Sequence, residues 1–533
     1  MKRSNLWRAA LVLGSLALMA AILAALELAA RRFGGPEARF PQYAQYLQES
    51  WGPFFRVKRD GGQVFVEQIP RHPYAPQPPQ VFLRAKSPNT LRIILVGESS
   101  ARNLGKKLAS LAKDFSDQKT IEFWNAAMGG DSLEQVEARF DEIKRYDPDA
   151  VVVLFGNNLL YRHGPPPIGV SPWVVRLGGK LRLLGFLRRR MADRDLTVYR
   201  RKAPRVKAFA RFIRRIKEDA RERKFKLFLC TVPSNLWRRP LLAEGKREDP
   251  AYLRAIFDFW RGRIQEAIRI LQRDGADTDP RRLFALGDWL YEEGRYAEAR
   301  RYLKMARDAG EDNRAPEALN RLVRAQADGR EAILVDLERL IETRSPHGIP
   351  GWTSFWDAQH TRWTELEAAV LLETIGRVFH IEANSPKLLN ANRQGQDYRS
   401  SLRRAWGMRN PHRLDFADIP YLTVQGAPES RAAIEAGVSA LGLSPRERCE
   451  VLWQSAEGFW RAGRKEDALA LLDEAQKLDP RSERPMRLRA MFFTALRRDR
   501  GALAQARDAL AIDPDDALMR YFRERLLVGI GAR

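Results

Sequence analysis

The sequence predicts an α/β fold with a mainly parallel sheet, preceded by an apolar N-terminal helix and followed by α-helical repeats. Three observations predict it. Continuous apolar runs alternate with helical stretches from Leu91 to about residue 380, as strands buried on both faces should when crossover helices join them. Ala456, Phe459, Ala468, Ala475 and Pro480 recur 34 residues later as Ala490, Phe493, Ala502, Ala509 and Pro514. Ala9 to Ala30 is a 22-residue run whose only charge is Glu27.

Taken in order, the N-terminal run comes first. Twenty-two helical residues span roughly 33 Å, enough for a hydrocarbon core of about 30 Å. A cleaved signal peptide has a shorter apolar region and small residues before its cleavage site, where this chain has Glu27 and Leu28. A buried core helix is the remaining alternative. The reading taken is a membrane anchor over residues 1–34. Lys2, Arg3 and Arg8 before the span favour a cytoplasmic N-terminus and a periplasmic or extracytoplasmic main domain, against the opposing pull of Arg31 and Arg32. No second stretch of that kind follows, so a single-pass protein is expected.

Residues 35–90, rich in Pro, Gln and aromatics, read as an extended linker with one short hairpin around Gly61-Gly62. Strands follow at Leu91–Val96, Ile121–Trp124, Ala150–Phe155 and Lys226–Cys230, with helical patterns at Leu133–Arg145 and Ala208–Arg223 between them. This α/β domain covers 91–380. Leu283, Gly287, Leu290, Ala299, Leu303 and Ala306 carry the spacing of a tetratricopeptide helix pair inserted at 281–308. A connecting segment spans 381–445. The 34-residue repeats occupy 446–525, where Asp-Pro at 479–480 and again at 513–514 stops the second helix of each pair.

Composition narrows the chemistry. The 533 residues are 44% hydrophobic and 30% charged, which excludes a wholly disordered chain. The two cysteines, Cys230 and Cys449, make neither a disulfide framework nor a zinc motif, and the six histidines show no H-x-x-x-H spacing. No metal and no cofactor is expected. Lys and Arg exceed Asp and Glu by 25, and residues 173–226 hold twenty Lys/Arg against five acids. That segment reads as a solvated helical insertion, with an anionic lipid surface or an acidic polysaccharide as alternative contacts. No nucleic-acid motif is present, and none is expected as a partner.

Gly97-Glu98-Ser99-Ser100-Ala101 follows directly on the first strand of the α/β region. A serine past the carboxyl end of a parallel strand stands where open α/β sheets bind ligands, although Ser99 or Ser100 could equally cap the next helix. The pattern also fits the nucleophile elbow of α/β-hydrolases. Far along the chain, Asp357 stands three residues before His360.

With Asn125-Ala126-Ala127-Met128-Gly129-Gly130-Asp131-Ser132 and Phe155-Gly156-Asn157-Asn158, these blocks in this order resemble the SGNH (GDSL-type) hydrolases. Val232-Pro233-Ser234-Asn235 and Pro346–Gly351 are similar to segments of a bacterial subgroup that carries tetratricopeptide repeats. The resemblance implies a flavodoxin-like three-layer domain and a catalytic triad of Ser99, Asp357 and His360. It further implies an oxyanion hole from the Ser99 and Gly130 N–H groups and the Asn158 amide, with Ser100 and Asn157 as alternatives to their neighbours. Glu98 stands where the family has Asp, and Leu159 where an acidic residue often follows the Asn.

In that chemistry His360 takes the proton of Ser99 and returns it to the leaving alcohol, while Asp357 fixes the imidazole tautomer. The implied activity is a serine ester hydrolase working through an acyl-serine, with an O-acylated envelope glycan or a small acyl ester as the expected substrate. An O-acyltransferase on a cell-envelope polysaccharide and a non-catalytic assembly scaffold are the alternatives. The repeats would offer a surface to a protein partner.

Overall fold

The computed structural model describes residues 53–69, 80–116, 119–160, 202–240, 249–273, 279–310, 313–351, 354–355, 359–381 and 444–531. The apolar run 9–30, most of the segment 381–445, residues 173–201 and Asp357 lie outside them. Among the described residues no helix is long and apolar enough to cross a membrane.

Phe55–Asp60 (β1) and Gln63–Gln68 (β2) form an antiparallel hairpin that turns at Gly61 and Gly62, both at positive φ. Val81–Leu83 (β3) pairs with β2. The hairpin expected around Gly61-Gly62 is present, and β3 extends it to a three-stranded sheet over 55–68 and 81–83 within the segment read as a linker. The reason is packing: Phe82 stacks on Trp124 with centroids 4.4 Å apart, and Phe55 lies 5.3 Å from the same ring. Such aromatic pairs add about 1 kcal/mol each beyond the area they bury.

Thr90–Gly97 (β4) leads into helix Ser99–Leu111 (α1), then Thr120–Asn125 (β5), Leu133–Ile143 (α2) and Ala150–Leu154 (β6). Lys202–Arg223 (α3) feeds Lys226–Cys230 (β7). Pro250–Trp260 (α4), Ile264–Arg273 (α5), Pro280–Glu292 (α6), Tyr296–Ala309 (α7) and Glu317–Gln326 (α8) precede Ala332–Val335 (β8). Leu337–Arg344 (α9) and Thr364–Phe379 (α10) follow. Pro445–Arg461 (α11), Lys465–Leu478 (α12), Glu483–Ala495 (α13), Asp499–Ile512 (α14) and Ala517–Gly531 (α15) end the chain.

The main sheet runs β5-β4-β6-β7-β8, with β4 and β5 parallel and Thr90 opposite Thr120. Counted along the chain this is the 2-1-3-4-5 order of doubly wound folds, which reverses direction between β4 and β6. The run Leu91–Val96 of β4 is apolar apart from Arg92, which is fully buried. Arg92 meets Glu122 at 2.8 Å and the Tyr146 carbonyl at 2.7 Å, and lies over the Trp124 ring. A buried guanidinium is tolerated only when its donors are satisfied in this way.

The molecule divides into two compact units. One comprises residues up to Gly105, Asp117–Val153 and Asn158–Phe228; the other comprises Lys106–Ser116, Leu154–Asn157 and the chain from Leu229. In the first, α3 buries Phe209, Phe212, Ile213 and Ile216, with Phe212 edge-on to Phe140 of α2. The described part of the basic segment is thus the helix that leads into β7 rather than an appendage. Arg215 pairs with Asp141 and Lys144 with Asp219, while Lys207, Arg211 and Arg214 face solvent.

In the second unit the inserted helices extend beyond the expected 281–308 pair. The pair α4/α5 precedes α6/α7, and Asp-Pro starts both α4 and α6: Asp249 and Asp279 accept from the Ala251 and Arg281 N–H groups. Gly287 lets α6 and α7 close, since a Cβ there would lie 2.6 Å from Leu303 Cγ. The C-terminal helices pack on this insertion. Leu253 and Phe257 of α4 share one core with Ala490, Ala506, Met519 and Phe522. Arg461 makes two 2.7 Å bonds to Asp288, and Arg261 pairs with Asp499 at 2.6 Å, both groups buried.

Candidate active site

The first unit holds Ser99, Gly130 and Asn158. Ser99 opens α1 one residue after β4, whose last residue, Gly97, adopts φ +153°, which side chains rarely accept. The Arg102 N–H donates to the Glu98 carbonyl at 2.8 Å, so Glu98 holds the N-cap position and Ser99 the first helical one. The N–H groups of a first helical turn have no carbonyl one turn behind them, and they carry the positive end of the helix dipole.

The segment after β5 is stitched against that turn. Met128 N–H donates to Gly97 O at 3.2 Å, and Asn125 Nδ2 donates to Arg102 O at 3.2 Å. Gly105 makes the second bond possible, because a Cβ there would come within 2.4 Å of the Asn125 amide. At Gly129 a Cβ would lie 3.7 Å from the Ser99 Cβ, so this glycine stands beside the serine. Gly130 takes φ +84°. Asp131, next in the chain, is clamped by Arg139 at 2.7 and 3.2 Å, both side chains being buried. Ser132 N–H bonds the Gln135 side chain in a capping box that starts α2. The glycine turn is therefore held from both sides.

Asn158, after β6, is buried and donates Nδ2 to the Asp131 carbonyl at 3.2 Å. Strands β4 and β6 flank the point where the sheet order reverses, so Ser99 and Asn158 follow the two strands that bound the ligand crevice of a doubly wound sheet. Leu159 brings no side-chain anchor, yet its loop is fixed. Its carbonyl accepts from Arg205 Nε at 2.8 Å, and Arg205 grips Glu134 at 2.5 Å, which lowers that carboxyl's pKa against the upward pull of burial. Sequence reasoning passed over Arg205 because it sits within the basic segment, where one buried guanidinium is indistinguishable from its solvated neighbours.

His360 belongs to the second unit. Its loop is closed at the base by an isolated bridge between Phe355 and Thr361, and Arg362 Nε donates to Phe355 O at 2.8 Å. Gln359 donates to Asn313 O at 2.6 Å, which ties the loop to the chain leaving α7. Asn157 also lies in this unit, where its Oδ1 accepts from the Ala315 N–H at 3.1 Å. Among the described residues no cluster of three His, Cys, Asp or Glu could hold a metal ion. Cys230 and Cys449 are buried free thiols, and burial raises the pKa of both.

Chemically, the first unit supplies a hydroxyl at a helix start, a tight glycine turn beside it and a buried primary amide. Comparison with solved structures finds a GDSL-like lipase from Bacteroides thetaiotaomicron at 12% identity and a TM-score of 0.28, covering 54% of this chain and 89% of that one. A protein from Bacteroides fragilis described as an acylhydrolase matches at 11% identity and a TM-score of 0.24, over 54% of this chain and 86% of that one. The APC/C hetero-tetramer Cut9–Hcn1 matches at 11% identity and a TM-score of 0.19, over 52% of this chain and 48% of that one. No protein-family model and no curated protein matches the chain.

Proposed function

We propose that the protein is a serine ester hydrolase in which Ser99 attacks an acyl carbonyl, His360 accepts the serine proton and Asp357 orients the imidazole. The single observation that carries this reading is the setting of Ser99: a hydroxyl on the first residue of α1, beside Gly129, with Asn158 donating to the carbonyl one residue past Gly130. A serine that merely capped α1 would occupy the N-cap position, which Glu98 holds.

The steps follow from the residue types. Serine is a weak nucleophile at neutral pH and reacts when a base removes its proton during attack. The tetrahedral oxyanion then draws on donors fixed before reaction: the Ser99 N–H, the Gly130 N–H and the Asn158 N–H not engaged by Asp131. Collapse expels the alcohol, protonated by the imidazolium, and leaves an acyl-Ser99 that water hydrolyses by the same proton route. Transfer to a sugar hydroxyl instead of water is the O-acyltransferase form of the same chemistry. The anchor at 9–30 would place the site at a membrane surface, facing acylated envelope glycans or small acyl esters. The basic face of α3 would meet anionic lipid or polysaccharide there, and the repeats would hold a protein partner.

The test is p-nitrophenyl acetate turnover by the full chain in detergent. Ser99→Ala should abolish it, and equal rates for the two chains would remove the enzyme reading.

A further inference from the structure

The His360 loop has a further tie, made by a residue with no role in the chemistry above. Thr361 Oγ1 donates to Glu367 Oε2 at 2.8 Å. Glu367 lies in the first turn of α10 and is 4% exposed, and among the described residues its other carboxyl oxygen has no hydrogen-bond partner. A buried carboxylate is normally stabilised by a cation or by two or three donors, and among the described residues this one has a single hydroxyl. Among the described residues no cation is paired with it, and the buried Arg362 guanidinium bonds the Phe355 carbonyl. Strand β8, which packs on α10, carries only Ala332–Val335, and the end of β7 presents the Cys230 thiol, whose ionisation the Glu367 charge opposes. Lys107 of α1 is engaged by Glu365 of α10, and Arg377 of α10 bonds Thr374. The neutral acid is therefore the form that fits the site, and burial moves its pKa up to about 7 against the opposing Thr361 bond.

The main-chain bridge between Phe355 and Thr361 and the bond from Arg362 close the same loop, and the Thr361 side-chain bond adds to them at the residue directly after the histidine, so losing it loosens the loop there. We propose that Glu367 is a positioning residue for His360: as a neutral acid it holds Thr361 and with it the loop, and on ionising it turns toward water and the loop loosens. The inference rests on the reading of His360 as the proton acceptor.

Two readouts on the full chain separate the loop from the chemistry. One is amide hydrogen exchange of residues 359–363, corrected for intrinsic pH dependence; the other is kcat for p-nitrophenyl acetate. Both run from about pH 6 to about pH 8. In the unaltered chain, protection of 359–363 should fall across this range and kcat should fall by about threefold relative to Glu367→Gln. That variant keeps an acceptor for Thr361 without an ionising group, so its protection should hold. Thr361→Val, which removes the donor, should show low protection at every pH. Equal pH dependence in the unaltered chain and Glu367→Gln would overturn the proposal. The expected protection difference without turnover in any chain would support the loop tie and overturn the role of His360 alone.

Discussion

The side-chain amide of Asn158 donates to the main-chain carbonyl of Asp131 across 3.2 Å. This bond joins the loop after β6 to the glycine turn after β5, and Arg139 anchors the same Asp131 through its carboxylate. One residue thus ties together two of the segments from which the oxyanion donors are drawn.

Replacing Asn158 by Ala removes both the donor and this tie. Turnover should fall by about 10²–10³, the usual cost of one oxyanion donor. The measurement is kcat with p-nitrophenyl acetate alongside a circular dichroism melt. A fall in kcat of less than about threefold in a folded variant would place the amide outside the site.

The docking of the C-terminal repeats hinges on a buried pair. Arg261 and Asp499 meet at 2.6 Å with each side chain less than 10% exposed, and Arg497 adds a bond to the Arg261 carbonyl. Arg261→Ala leaves the Asp499 carboxylate without that guanidinium, a loss of about 3 kcal/mol. Proteolysis should then release the repeats at a lower denaturant concentration than in the unaltered chain, while Arg254→Ala, on an exposed side chain of the preceding helix α4, should leave the profile unchanged.

Glu367 makes stability depend on pH. Its folded-state pKa of about 7 lies above the ordinary value of 4.5, so the folded state binds the proton more tightly than the unfolded one. The stabilisation is complete below about pH 4.5 and is lost as pH rises through about 7, a change of about 3 kcal/mol over that window. Denaturant titrations between these limits should show that slope. In Glu367→Gln the contribution of this group should vanish.

Much of the fold was legible because the physics is local. Four strands announced themselves as continuous apolar runs, and the repeat period follows from the small residues where helices touch. Strand β8 escaped notice because Ala332-Ile333-Leu334-Val335 is only four residues long and follows a helical pattern without a change in composition. The α4/α5 pair was missed although Asp249-Pro250 is the same helix-start signal as Asp279-Pro280. The hairpin at 55–68 was legible from Gly61-Gly62, but the third strand at 81–83 was hidden because Phe82 packs on Trp124, a partner distant in sequence. At the site, Ser99 and Asn158 were legible as motif residues. Arg205, Arg139 and Glu367 were not, since their roles arise from burial against partners that no spacing reveals.

The most direct measurement of the central claim is fluorophosphonate labelling of the full chain, read by peptide mapping, with His360→Ala in parallel. The phosphonyl group should be found on Ser99 in the unaltered chain and should be absent from the variant. Labelling on Ser100 or elsewhere, or equal labelling of Ser99 when the imidazole is gone, would contradict an activated serine driven by His360.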